Sequence, residues 1–446
     1  MRATLPDDIR HVFELQRQAS RAQPDTPLTL RRERLLRLSK LIDEHGPALA
    51  AAVQADFGMR SPRLTEVADL FMLRAQLAHT LRHLARWCRR TRVRTPLFLL
   101  PARGWIERQP LGVVGVISPW NYPLQLSLGP AATALAAGNR VMLKPSELTP
   151  HTSAQLALLV AQFFAPDEFC VVQGDASLSA LFASLPFDHL VFTGSTAVGR
   201  KVAQAAAQNL TPTTLELGGK SPCIIDGHCD MQDAALKIAH GKLLNAGQTC
   251  ISTNRILVQE GIAQSFVTGL VERFKTLKVG DGFEDNVEVG PLINQSAVEH
   301  CEALLADAVS KGAKILLGGK RHALGGNFFE PTVLTGMTRE MRIFHEEIFG
   351  PIAPIMTFAS EAEAVELAND TPFGLASYVF TQNLSRAWRI PEALEYGLCG
   401  VNDAALALAE APFGGVKESG TGREGGREGL LDFMETRYVL MGGIVA

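Results

Sequence analysis

The sequence lacks a surplus of charge of either sign: 43 Lys and Arg stand against 46 Asp and Glu, a formal charge of -3. A chain so balanced gives no electrostatic reason to bind nucleic acid or an anionic membrane, so a small-molecule ligand is expected. It also lacks any Cys-x-x-Cys pair, and its seven cysteines, at 88, 170, 223, 229, 250, 301 and 399, are odd in number. Scattered, unpaired cysteines argue against both a disulfide framework and a structural zinc site, and they fit a reducing, cytoplasmic compartment. No apolar run approaches the roughly 18 residues of a membrane helix. The opening MRATLPDDIRHVFELQ carries early acids and no apolar segment followed by a cleavage site, so no signal peptide is expected.

What is present reads as an α/β protein. A chain of 446 residues, 46% hydrophobic with 39 glycines and 24 prolines, is too long for one ordinary core and implies two or three domains. From Thr29 to Arg94, apolar residues at three and four spacing (Leu35, Leu38, Leu41, Ile42) predict several amphipathic helices. The basic run at 81–94 reads as the solvated face of one of them. Past Pro101 short β-rich runs alternate with Ala-rich helical stretches through SPCIID, up to about Asp226, which predicts βαβ units and a parallel sheet in a nucleotide-binding domain. A second series, with strands at RILVQ, AKILLGG, IAPIMTF and SYVFT, runs from near Met231 to about Gly420. A helix at Gly425–Glu435 and a leftover strand at 436–445 close the chain.

Several stretches could carry chemistry, and taken singly each has a plain structural alternative. FTGSTAVG (192–199) is a strand, a Gly-Ser turn and a helix start: either a capped corner or a seat for a pyrophosphate. KPSE (144–147) follows a strand, where Lys144 and Glu147 could meet a ribose or form a surface turn. In LELGGKSP (215–222), Glu216 lies in an apolar run, and a buried carboxylate acquires the raised pKa of a general base. Cys250 of NAGQTCIST is either a nucleophile or a small buried hydrophobe, and spacing leaves both open. His79 and His83 stand four apart without the Glu of a zinc-helix motif, and His345 with Glu347 lacks an accompanying Cys-x-x-Cys, so no metal is expected.

Taken together and in order, SPWNYP, LKPSE, FTGS, LELGGKSP, GQTC, EEIFGP and PFGG resemble the aldehyde dehydrogenase superfamily over essentially the whole chain. The resemblance implies the fold of that family: a Rossmann-like NAD-binding domain (1–90 and 111–218), an α/β catalytic domain (219–418) and a small β oligomerisation arm (91–110 and 434–446). It implies Cys250 as nucleophile, Asn121 with the Cys250 backbone N–H as oxyanion donors, Glu216 as the base for hydrolysis, and Glu424 as a proton relay. For the cofactor it implies Trp120, Lys144, Glu147, Gly194, Ser195, Glu347 and Phe349. Up to about Cys250 the chain resembles coniferyl aldehyde dehydrogenases; beyond it, succinate-semialdehyde dehydrogenases.

A pocket for succinate semialdehyde in this family must neutralise a carboxylate, and the corresponding positions here are Gly129, Leu244 and Ala407. None can do so, and an unpaired buried charge costs several kcal/mol. The expected substrate is therefore an uncharged apolar or aromatic aldehyde in a tunnel lined by Tyr122, Gly129, Leu244, Ile251, Ala407 and Phe413. Glu147 would accept ribose hydroxyls and repel a 2′-phosphate, which favours NAD, with NADP possible. The resemblance to shorter family members implies a homodimer rather than a tetramer. The alternatives are a succinate-semialdehyde dehydrogenase, a CoA-acylating relative, against which Glu216 stands, and a catalytically silent protein of the same fold, which should have lost the nucleophile, base or oxyanion donor.

Overall fold

The computed structural model describes residues 4–442. Near its start, the helix Leu28–Phe57 buries Leu35, Leu38, Leu41, Ile42, Leu49 and Val53, the three-and-four stripe that its sequence displays. From Ser127 onward the helix Gln125–Ala137 is buried on every side, because it lies beneath the first sheet between that helix and Met72–Trp87.

That first sheet has six strands in the order 420–421, 213–216, 189–193, 113–117, 140–144, 169–171, all parallel except the first pair. Its interior strands are continuous apolar runs such as Val113–Ile117, as expected where helices cover both faces. The second sheet has seven strands in the order 314–317, 332–335, 352–358, 255–259, 222–225, 376–380, 398–401, with only the first pair antiparallel. A third sheet joins Thr91–Val93, Arg103–Pro110 and Met434–Met441, all antiparallel.

Three sequence expectations need correcting. SPCIID does not extend the first sheet: Pro222–Ile225 pairs with Arg255–Gln259 and Ala376–Phe380 in the second. The late helix is shorter than 425–435, spanning Gly426–Asp432, and Met434 and Glu435 already belong to the final strand. That strand ends at Met441, and the expected continuation over 443–446 lies outside the described residues. No helix among those described is long and apolar enough to cross a membrane.

Candidate active site

Two connections bring the chemistry together. Thr213–Glu216 ends the parallel part of the first sheet, and the Gly218–Gly219 pair then passes directly against the loop that carries Cys250: a Cβ on Gly219 would stand 2.6 Å from the Cys250 carbonyl oxygen. From the other side, Gly420 pairs with Glu216 and returns the 420–424 segment to the same place. There Phe413 and Glu424 exchange both backbone hydrogen bonds at 2.7 Å.

The loop before Cys250 is built unusually. Asn245, Ala246 and Gly247 all have left-handed backbone, with φ of 52°, 55° and 79°. Such a run costs free energy at the two non-glycine positions and persists because its surroundings hold it. Gln248 does much of the holding: its Nε2 donates to Asn245 O and Pro291 O, and its Oε1 accepts the N–H of Ile293. A side chain at Gly247 would run into Gly350 O at 2.2 Å, so only glycine fits.

The carboxylates facing this loop are short of partners. Glu216 is 3% exposed, neither of its oxygens is hydrogen-bonded, and Glu424 Oε1 is equally orphaned. Burial pushes Glu216 well above the ordinary carboxyl range, and the negative charge of Glu424 adds to this despite the opposing pull of Arg423. Burial likewise raises Glu424 to about 7. Two interacting acids with unsatisfied oxygens in a cavity wall have the electrostatics of a proton-transfer pair. Cys250 itself is a free thiol, half-buried. Burial raises its pKa, Glu347 and Glu216 raise it further, and the backbone N–H groups of Ile251 and Cys250 pull the other way.

Asn121 is held from several directions. Its carbonyl accepts from Arg60 Nη1 at 2.6 Å and Asn245 Nδ2 at 3.1 Å, and its own Nδ2 donates to Gln248 O at 3.0 Å. Arg60 is buried against Asp69, whose other oxygen caps the N–H groups of Leu124 and Gln125 where the Gln125–Ala137 helix begins. The Tyr122 hydroxyl bonds Thr249 Oγ1 at 2.6 Å, and burial pushes its pKa up to about 12.

One cavity of about 690 Å³ contains Cys250, Glu216 and Glu424, and its wall includes Tyr122, Leu244, Ile251, Ala407 and Phe413. Gly129 is not part of that wall: the carboxamide of Gln76 covers it, donating to Gly129 O at 3.0 Å. Arg60, Arg63, Gln76, Gln125, His240 and Arg273 also line the cavity and carry no sequence signal. Arg60 lies in the connection after the helix Leu28–Phe57, and the others come from helices whose sequences do not say which face meets the loops. Arg60 is committed to Asp69, and Arg273 stands 3.5 Å from Glu288.

The residues expected to hold a dinucleotide fit one. Ser195 caps the helix Thr196–Ala207, accepting from Val198 N, so the helix N-terminus opens beyond the Gly194 turn. Lys144 Nζ lies 2.8 Å from Glu147 Oε2 at the end of Arg140–Lys144, with Glu147 still half exposed. Glu347 accepts the Gly219 N–H at 3.1 Å, and burial raises its pKa to about 7. Phe349, at φ 46°, meets Trp120 edge-on with centroids 5.5 Å apart; Trp120 itself is not in the cavity wall. His79 and His83 stack beside Trp87, His345 bonds Arg339 O, and among the described residues no cluster of three metal-ligating side chains exists.

A family model for the "Aldehyde dehydrogenase family" matches residues 1–439. The chain belongs to the aldehyde dehydrogenase family. This aldehyde dehydrogenase is 46% identical to the mitochondrial succinate-semialdehyde dehydrogenase of Oryza sativa subsp. japonica, over 78% of this chain and 67% of that one. It is 44% identical to a probable NADP(+) succinate-semialdehyde dehydrogenase of Sinorhizobium fredii, over 76% of this chain and 70% of that one. The matches span about two thirds of the length of such curated relatives. Among solved structures, the betaine aldehyde dehydrogenase of Staphylococcus aureus in complex with NAD+ superimposes with a TM-score of 0.93 at 32% identity, over 99% of this chain and 88% of that one.

Proposed function

We propose that this aldehyde dehydrogenase oxidises an uncharged apolar or aromatic aldehyde to the carboxylic acid, with NAD as its cofactor. The Cys250 thiol gives up its proton toward the Glu216–Glu424 pair and attacks the carbonyl carbon. The oxyanion that forms takes the second Asn121 Nδ2 hydrogen and the Cys250 backbone N–H. NAD, when bound, supplies the acceptor for the hydride lost from that carbon, which leaves a thioester on Cys250. Glu216 then takes a proton from the water that attacks the thioester, releasing the acid and restoring the thiol.

Lys144 and Glu147 would hold the adenosine ribose, Gly194 and Ser195 the pyrophosphate, and Glu347 with Phe349 and Trp120 the nicotinamide end. The carboxylate of Glu147 repels a 2′-phosphate and so supports NAD over NADP. We take the NAD-binding unit as 1–90 and 111–218, the catalytic unit as 219–418, and the arm at 91–110 and 434–446 as the contact of a homodimer. Cysteines that are all free suit a cytoplasmic site of action.

The observation that carries the substrate reading is the wall itself. Tyr122, Leu244, Ile251, Ala407 and Phe413 carry no charge; of the cations elsewhere in the wall, Arg60 is neutralised by Asp69 and Arg273 pairs with Glu288, while Arg63 is exposed and is the one charge that a semialdehyde carboxylate would have to reach. Succinate semialdehyde is the second reading, favoured by the curated relatives. Initial rates of NAD reduction with benzaldehyde and coniferaldehyde against succinate semialdehyde separate the two. An aromatic preference in kcat/KM, with a dead Cys250→Ala variant, is expected. A preference for the semialdehyde would overturn the substrate class and leave the chemistry standing.

A further inference from the structure

Where the cavity meets the helices Met72–Trp87 and Gln125–Ala137, two glutamine side chains flank the same gap. Gln76 Nε2 donates both to Gly129 O at 3.0 Å and to Thr133 Oγ1 at 3.1 Å. The Thr133 hydroxyl gives its own hydrogen to Gly129 O at 3.1 Å, so it meets Gln76 with a lone pair. Turning the Gln76 amide over would set oxygen against the Gly129 carbonyl oxygen, acceptor on acceptor. The orientation is therefore fixed. Oε1 accepts no hydrogen bond within the described residues, yet it is not among the enclosed orphan atoms, so it remains accessible.

Gln125 stands beside it. Its backbone N–H is taken by Asp69, but its side-chain amide makes no hydrogen bond within the described residues. Around the point that a Cβ on Gly129 would occupy, Gln76 Oε1 lies at 3.0 Å and Gln125 Nε2 at 3.8 Å. The space that a side chain at 129 would take is thus filled by the Gln76 carboxamide, and both glutamine amides line the cavity beside it.

A hydroxyl is both donor and acceptor and satisfies both amides at once. A carboxylate has no hydrogen to give and meets the Gln76 oxygen with like partial charge. We propose that Gln76 and Gln125 form a hydroxyl-recognition subsite, selecting aldehydes that carry a hydroxyl at the end remote from the carbonyl, hydroxyaryl aldehydes foremost. The proposal rests on the reading of this cavity as the aldehyde site.

Isosteric pairs test it: 3- and 4-hydroxybenzaldehyde against 3- and 4-methylbenzaldehyde, with NAD, on the wild type and on Gln76→Met and Gln125→Met. The hydroxyl member of at least one pair is expected to lead in kcat/KM by about tenfold or more, chiefly through KM, because a site built to bond a hydroxyl rejects the analogue without one. Each variant should reduce that ratio severalfold, and because the ratio is taken within one variant, any change common to both aldehydes cancels. The methyl aldehyde rate reports that the variant is folded, and Gln125→Met serves if Gln76→Met does not fold, because the Gln125 side chain bonds nothing in the chain. Electronic effects of the substituents persist in the variants, so the change in ratio isolates the contact. Ratios unchanged by both substitutions would overturn the subsite and leave the aromatic reading intact. Failure of every aromatic aldehyde to react would overturn that reading, and the subsite with it.

Discussion

Glu216, proposed above as the base, gives up stability at its position. Its two oxygens are buried without a hydrogen bond, and a buried polar group in that state costs about 1–3 kcal/mol. The pKa is raised in the folded protein, so below the unfolded value the acid is protonated in both states and nothing is lost. As pH rises from 4.5 toward the folded value, the native state holds more protons than the unfolded one and stability falls. Glu216→Gln removes the charge but keeps the shape. It should raise Tm at pH 8, where the carboxylate is ionised in the unfolded chain, and do much less at pH 4; turnover should drop by orders of magnitude at both. Calorimetry at the two pH values checks the sign. Equal Tm shifts at pH 4 and pH 8 would mean that the charge is not what destabilises this position. Of these residue-level facts, the local sequence displayed only that Glu216 lay in an apolar run; that Glu424, 208 residues further on, would work beside it was implied by the family resemblance alone, and its orphaned oxygen by neither.

At the scale of elements, Cys250, the proposed nucleophile, is aimed by a loop rather than by a helix or strand. The left-handed run Asn245–Gly247 turns the chain between the helix Met231–Leu243 and Cys250, and Gly247 passes beneath Gly350 O too closely for any side chain. Gly247→Ala should therefore cost about 1–3 kcal/mol in stability from strain and shift the oxyanion donors, lowering kcat by tenfold or more. Ala246→Gly, which gives the strained position the residue that suits it, should leave activity near wild type. Denaturant titration and steady-state rates on the two variants test this; equal behaviour would show that the loop bends without penalty. The motif GQTC located this element in the sequence, and the glycine marked a close approach. What it approaches, and the strain at Asn245 and Ala246, depend on Gly350 and Gln248, which no local rule connects.

At the scale of the whole molecule, the third sheet stands out because it buries little. Leu97 and Phe98 are 85% and 84% exposed, and Tyr438, Leu440 and Met441 on the last strand are also open to solvent. Among the described residues the Met434–Met441 strand is an edge with no strand paired to its far side, a surface that proteins normally cover. The homodimer proposed above would cover it. Leu97→Asp with Phe98→Asp should shift the protein toward a monomer in sedimentation velocity without altering the Cys250 thiol count. A dimer unchanged by both substitutions would place the contact elsewhere on the surface.

The amino-acid sequence by itself determined the class of this protein. Its alternating strands and helices and the buried face of Leu28–Phe57 are local patterns, legible because periodicity and turn chemistry act over a few residues, whereas the ordered motifs around Asn121, Glu216 and Cys250 acquired meaning only through their resemblance to a family. Only the tertiary structure decided what surrounds them. It committed Arg60 to Asp69, put Gln76 over Gly129, moved Pro222–Ile225 into the second sheet, and left Glu216 and Glu424 facing each other without partners. Those facts arise from contacts between segments tens to hundreds of residues apart, and their energies depend on burial and distance, which a linear pattern does not contain.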